Sequence, residues 1–235
     1  MMRETRSYKR VSAPELRAAT DGKTATLTGY AAVFGSYSQN LGGFVEVLDR
    51  VAFDGVLEAD VLGLVNHDPN QLLGTTESNT LSVTTDEVGL RYEMTLDMTD
   101  PTAVAAAAKI RSGKMPGSSF SFSIAPDGDS WSQTEQGFPL RTITRLDNLY
   151  DVGPVAMPAY LGTKGEGVAA AVRSLASLTG EPVDVLVAAA GRNELRSFVP
   201  GMAEEKVEPG EASNVTNLHA YRARELQLAA SRFSW

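Results

Sequence analysis

Between residues 24 and 161 the chain alternates apolar and polar positions in short runs, the period of β-strands. Ala25 to Phe34 (ATLTGYAAVF) is rich in strand formers, and Gly29 inside it marks a bulge or a close backbone approach. Phe44 to Leu48 alternates again. Val61 to Val65 is a short apolar run that stops at Asn66-His67-Asp68-Pro69. Leu81–Thr84 and Leu90–Leu96 predict an antiparallel pair across the turn Asp86-Glu87-Val88-Gly89. The period then changes. Asp100 supplies an N-cap oxygen, Pro101 fits the first helical position, Thr102 to Arg111 is an Ala-rich helix, and Gly113 supplies its left-handed stop. Ser119 to Ile124 returns to strict alternation, with Phe120, Phe122 and Ile124 on one face and Ser119, Ser121 and Ser123 on the other. Further strands are predicted at Arg141–Thr144 and Leu149–Ala156. From about Gly162 the composition turns to Ala, Glu and Arg. Helices are predicted over Gly167–Leu178, Val183–Phe198 and Asn214–Phe233, with Pro182, Pro200 and Pro209 as breaks.

These elements describe an α+β chain, mostly β, with one prominent internal helix and a helical C-terminal tail. The predicted organisation is an N-terminal arm over residues 1–23, a strand-rich domain over 24–163, and a helical or flexible tail over 164–235. Hydrophobic residues make up 43% of the chain and charged residues 21%, enough apolar material for a real core. The formal net charge of -8 argues against nonspecific nucleic-acid binding, because there is no cationic excess to displace counterions from phosphates. No cysteine is present, which removes disulfides, thiolate metal sites and cysteine nucleophiles together. The basic start MMRETRSYKR is followed by no apolar stretch, and no run approaches the ~20 apolar residues of a membrane span. A soluble protein of a reducing compartment is expected.

The two histidines offer two candidates for a general base. His67 ends an apolar run in a tight polar turn, and His219 lies in a polar helical segment. The run Gly117-Ser118-Ser119-Phe120-Ser121-Phe122 places hydroxyls at the start of a strand, where the backbone is fixed and an Oγ could be presented to substrate. The plain alternative is a half-buried strand with serines toward water and phenylalanines in the core. Asp151, within Leu149-Tyr150-Asp151-Val152, could point inward and then needs a partner such as an imidazole. It could equally point outward, and Asp147 is close by. Phosphate loops, paired metal-binding histidines and calcium loops are absent, and Asp127, Asp129 and Glu135 read as a charged hairpin loop. Neither a metal nor a cofactor is expected.

Read in order, the segments resemble the tailed-phage (caudovirus) prohead serine protease family over about residues 24–163. Gly29-Tyr30-Ala31-Ala32-Val33-Phe34 is similar to its opening GYAAVF strand. Gly43-Phe44-Val45-Glu46 through Val51-Ala52-Phe53 is similar to its GF-E-I … GAF stretch, with Val51 before Ala-Phe in place of a small residue. Asn66-His67-Asp68 with Leu73-Gly74-Thr75 resembles NHD … LG-T. Gly117 to Phe122 resembles G-x-S-F-G-F, with Ser121 in place of the glycine, and Leu149-Tyr150-Asp151-Val152 with Pro158-Ala159-Tyr160 resembles L-Y-E-V … PAY.

The resemblance implies a β-barrel domain like that of herpesvirus assemblin. It implies His67 as base and Ser119, rather than Ser118, as nucleophile, with Asp151 as third member and Asp147 in reserve. It further implies an endopeptidase that acts inside the assembling prohead in the host cytoplasm. There it would cut the scaffolding segment of the major capsid protein and then itself. The composition and position of the tail suit a segment that docks to scaffold or capsid, and whether it is removed stays open. A homodimer, the oxyanion donors and the cleavage-site preference stay open. The alternative from another class is a non-catalytic assembly or scaffolding protein on the same fold, which would hold His67 and Ser119 far apart.

Overall fold

The Asp100 carboxylate accepts from Thr102 N at 2.8 Å, Pro101 opens the helix, and Gly113 follows it at φ 69°, so the punctuation read from the sequence is the punctuation observed. This is α1 (Pro101–Arg111), whose buried Ala103, Ala106 and Ile110 lie in the main core. The computed structural model describes residues 3–9, 14–19, 22–38, 40–156 and 166–202, all within one unit, Met1–Ala203. A second unit, Glu204–Trp235, lies outside the described residues, and with it His219 and the helix expected over Asn214–Phe233.

The strands are β1 (Glu4–Lys9), β2 (Glu15–Ala18), β3 (Thr24–Val33), β4 (Val45–Leu48), β5 (Leu62–Leu64), β6 (Leu72–Thr75), β7 (Leu81–Thr85), β8 (Gly89–Asp97), β9 (Gly117–Ile124), β10 (Asp129–Gln133), β11 (Pro139–Ile143) and β12 (Leu146–Val155). They form three sheets, with orders β1-β9-β12-β5-β6, β2-β3-β8-β7 and β10-β11-β4. Among the described residues each sheet is open, since no ladder joins the edge strands of one to those of another. The α+β, mostly β character holds. A single closed barrel is not what these hydrogen bonds make.

The predicted pair β7/β8 is antiparallel, and Asp86 ties its turn by accepting from Val88 N and Gly89 N. β10 stands where a charged loop was expected. It exists because Asp129–Gln133 pairs in register with Pro139–Ile143 and turns Trp131 inward.

Two apolar clusters hold the unit together. The larger lies under the first two sheets, where Phe53, Phe120 and Phe122 meet at ring separations of 5.7 and 4.7 Å beside Leu27, Leu90 and Met94. The smaller is built by α2 (Glu166–Ala171), α3 (Arg173–Thr179) and α4 (Val183–Gly191) around Phe44 and Trp131. Trp131 Nε1 donates to Ser174 Oγ at 2.8 Å, which pins α3 to β10. No helix among the described residues is long and apolar enough to cross a membrane.

Candidate active site

β9, β12 and β5 are neighbours in the five-stranded sheet, and each brings one reactive group to the same place. β9 carries Ser119. β12 carries Asp151, opposite Ser121, while Gly153 is opposite Ser119. β5 delivers the chain into the turn that holds His67. Gly153 has to be glycine: a Cβ there would lie 2.0 Å from the Leu64 carbonyl oxygen, so only a bare backbone lets β12 lie against β5.

The turn after β5 is held in an uncommon conformation. Asn66 and His67 both adopt left-handed φ, 54° and 60°. Asn66 N donates to the Pro154 carbonyl at 3.1 Å, and the Asn66 amide oxygen accepts from Ala156 N at 2.8 Å. The turn is thereby clamped to the end of β12, and the imidazole is aimed back across the sheet.

There the three groups meet. His67 Nε2 lies 2.6 Å from Ser119 Oγ, and His67 Nδ1 lies 2.5 Å from Asp151 Oδ1. The second carboxylate oxygen, Oδ2, accepts from Ser121 Oγ at 2.5 Å and from the Arg3 guanidinium. Ser119, Ser121 and Asp151 are completely buried, whereas the His67 side chain is 19% exposed and forms the open side of the group. A carboxylate in that position fixes the imidazole tautomer and stabilises an imidazolium. The other ring nitrogen can then take the hydroxyl proton.

Asp147 is elsewhere, accepting from Asn148 Nδ2 at 2.7 Å and lying 3.4 Å from Ser123 Oγ. Ser118 points through the other face of β9 and shares a 2.9 Å hydrogen bond with Tyr92 Oη, whose ionisation burial pushes well above the ordinary phenol range. Gly29 makes room for that pair, because a Cβ there would meet Tyr92 Oη at 2.5 Å and Ser118 Oγ at 2.9 Å. Gly29 is therefore a point of close approach. The expected solvent-facing row of serines is corrected by the structure. Ser119, Ser121 and Ser123 are as buried as the phenylalanines, because β1 and β12 flank β9 and polar side chains cover its serine face. Among the described residues no buried side-chain polar atom lacks a hydrogen-bond partner.

The N-terminal arm reaches the site as well, through residues that no sequence motif marked. Besides Arg3 at Asp151, the Arg6 carbonyl accepts from Ser119 Oγ at 2.8 Å. The Arg6 guanidinium spans both oxygens of Glu46, at 2.6 and 2.8 Å, and bonds Glu4 at 2.7 Å. Arg141 joins Glu4, Glu46 and Asp129 in the same buried network. Only the clustering of basic residues at the start of the chain hinted at it.

A hydroxyl, an imidazole and a carboxylate linked in that order are the arrangement that serine hydrolases use. The model of the caudovirus prohead serine protease family matches residues 12–178, and the chain belongs to that family. It is thus a serine protease of phage head assembly. Among solved structures, the bacteriophage T4 capsid assembly protease, gp21, is similar at 13% identity and a TM-score of 0.40, covering 67% of this chain and 100% of that one. No curated protein matches.

Proposed function

We propose that Ser119 is the nucleophile, His67 the general acid and base, and Asp151 the orienting carboxylate of a prohead endopeptidase. The carrying observation is the unbroken line from Ser119 Oγ to His67 Nε2 and from His67 Nδ1 to Asp151 Oδ1. Ser119 Oγ attacks the scissile carbonyl carbon as its proton passes to Nε2. The tetrahedral intermediate collapses, the C–N bond breaks, and Nε2 returns the proton to the departing amine. Water, deprotonated by the same nitrogen, then releases the acid and restores the hydroxyl. Asp151 keeps its hydrogen bond to Nδ1 throughout and stabilises the imidazolium between the steps.

The substrates in this reading are the scaffolding segment of the major capsid protein and the protease itself, inside the prohead in the host cytoplasm. Residues 24–163 carry the chemistry, residues 1–23 form the arm, and residues 164–235 form the segment that docks to scaffold or capsid. Family membership supports this biology, and kinship with herpesvirus assemblin goes with it. Co-expression with the capsid protein tests it. The wild-type chain is expected to shorten the capsid protein. Ser119→Ala and His67→Ala are each expected to lower cleavage by at least ~10³-fold, leaving it full length. Capsid protein shortened by Ser119→Ala to the wild-type extent refutes the assignment.

A further inference from the structure

The arm is placed as a peptide would be placed. β1 is the edge strand on β9, antiparallel, with Ser7 opposite Ser119. Its Arg6 carbonyl is the group that the Ser119 hydroxyl touches, at 2.8 Å. We propose that β1 is an internal ligand of a peptide-acceptor edge on β9, an edge that takes extended segments with a basic side chain at the place of Arg6, Glu46 being the carboxylate that recognises it. The proposal rests on Ser119 and His67 acting as assigned above, and it adds where substrate lies and what side chain is selected.

The seated strand is unreactive for a stated reason. Ser119 Oγ has one hydrogen, and Arg6 O competes with His67 Nε2 for it. Arg3 on Asp151 anchors β1 in this register, so the Arg6 carbonyl carbon cannot shift onto Oγ, whereas a free peptide without that anchor can. Arg3 adds to this, because its guanidinium on Asp151 Oδ2 offsets the negative charge that would stabilise an imidazolium. Arm withdrawal relieves both restraints together.

The side-chain preference follows from the fork at Glu46. Arg6 Nε and Nη2 take one carboxylate oxygen each, a bidentate fit, and the guanidinium lies 5.6 Å from the Phe122 ring centroid. When the arm leaves, Glu46 Oε2 keeps Arg141 at 3.0 Å while Oε1 loses its cation. A buried carboxylate left in that state favours an incoming cation over any neutral side chain. A displacing peptide would join β9 by strand addition, the main chain giving affinity and Glu46 giving selectivity. The residues matched by the family begin at 12, beyond β1, so the strand over the nucleophile lies outside the matched region.

The test uses the full-length chain, two fluorogenic peptides and loosened arms. One peptide copies Glu4–Lys9 (ETRSYK), and the other has Ala in place of Arg. Arg3→Ala and Arg3→Ala/Arg6→Ala are expected to cleave the Arg peptide about tenfold faster than wild type, as the fraction of chains with an open edge rises. Misfolding cannot produce a gain. Should the double variant fail to fold by circular dichroism, the single variant decides, because Arg3 is 45% exposed and outside the buried network. Glu46→Gln in the loosened chain is expected to erase the preference for Arg over Ala. Unchanged rates in both arm variants, or equal cleavage of the two peptides, overturn the proposal. If no chain shows Ser119-dependent cleavage, the catalytic assignment has failed, and anisotropy with labelled peptides on Ser119→Ala/Arg3→Ala then decides the acceptor edge. Saturable binding of the Arg peptide alone supports it, and absence of binding, or equal binding of both peptides, overturns it.

Discussion

At the scale of residues, the site depends on side chains whose neighbours leave little latitude. Asp151→Asn presents either an amide that can still accept from Nδ1 or one that donates to it and traps the wrong tautomer. Peptide kcat/KM is expected to fall by about 10³–10⁴-fold while the fold persists. Gly29→Ala drives a methyl group into Tyr92 Oη and Ser118 Oγ, at 2.5 and 2.9 Å. Overpacking of that kind typically costs about 1–3 kcal/mol, to be read as a lower urea midpoint. The sequence motifs reached His67, Ser119 and Asp151, but alternation alone could not orient Asp151. The reason is local: the β9–β12 register shifts between Leu149 and Asp151, so the parity counted from Leu149 does not carry through. The roles of Arg3 and Arg6 were hidden for a different reason. They act across 148 and 113 residues of chain, and no local pattern encodes such pairings.

At the scale of elements, β1 is tied down by the buried ion pairs of Glu4 and Arg6. Burial alone would raise the Glu4 carboxyl, but Arg141 and Arg6 override it and hold its pKa at about 2, below the usual 4.5. The folded value is depressed, so this contribution is fully present above about pH 4.5 and is lost as the pH falls toward 2. Urea midpoints measured between pH 7 and pH 2.5 are expected to drop over that window in wild type, and to drop less in Glu4→Gln. Arg141→Leu leaves Glu4, Glu46 and Asp129 buried with Arg6 as the one remaining cation of the network. A loss of about 3–5 kcal/mol is expected in the same measurement. Elements with strong local punctuation, such as α1 and the β7/β8 pair, were legible. β10 was not, because Asp129–Gln133 exposes polar residues on both sides of one inward Trp131, and only its partner β11 makes it a strand.

At the scale of the whole unit, two cores divide the labour. The site sheet rests on the Phe53–Phe120–Phe122 cluster, whereas the C-terminal helices close over Phe44 and Trp131. Leu186→Ala opens a void in the second core alone, at a typical cost of about 2–5 kcal/mol. It is expected to lower the melting temperature while leaving peptide kcat/KM within about twofold of wild type below the transition. The sequence conveyed the mostly β character. It did not convey three open sheets, since edge pairing is decided by contacts between distant strands. Ser118 and Ser119 occupy opposite faces of the same strand, one against Tyr92 and the other against His67. A slip of β9 by one position would carry Ser119 into the core and turn a phenylalanine toward Asp151 in place of Ser121, so the carboxylate would lose the hydroxyl that holds it in line. Catalytic competence is therefore a readout of strand alignment, and a newly made chain that pairs out of step is silenced by its own geometry.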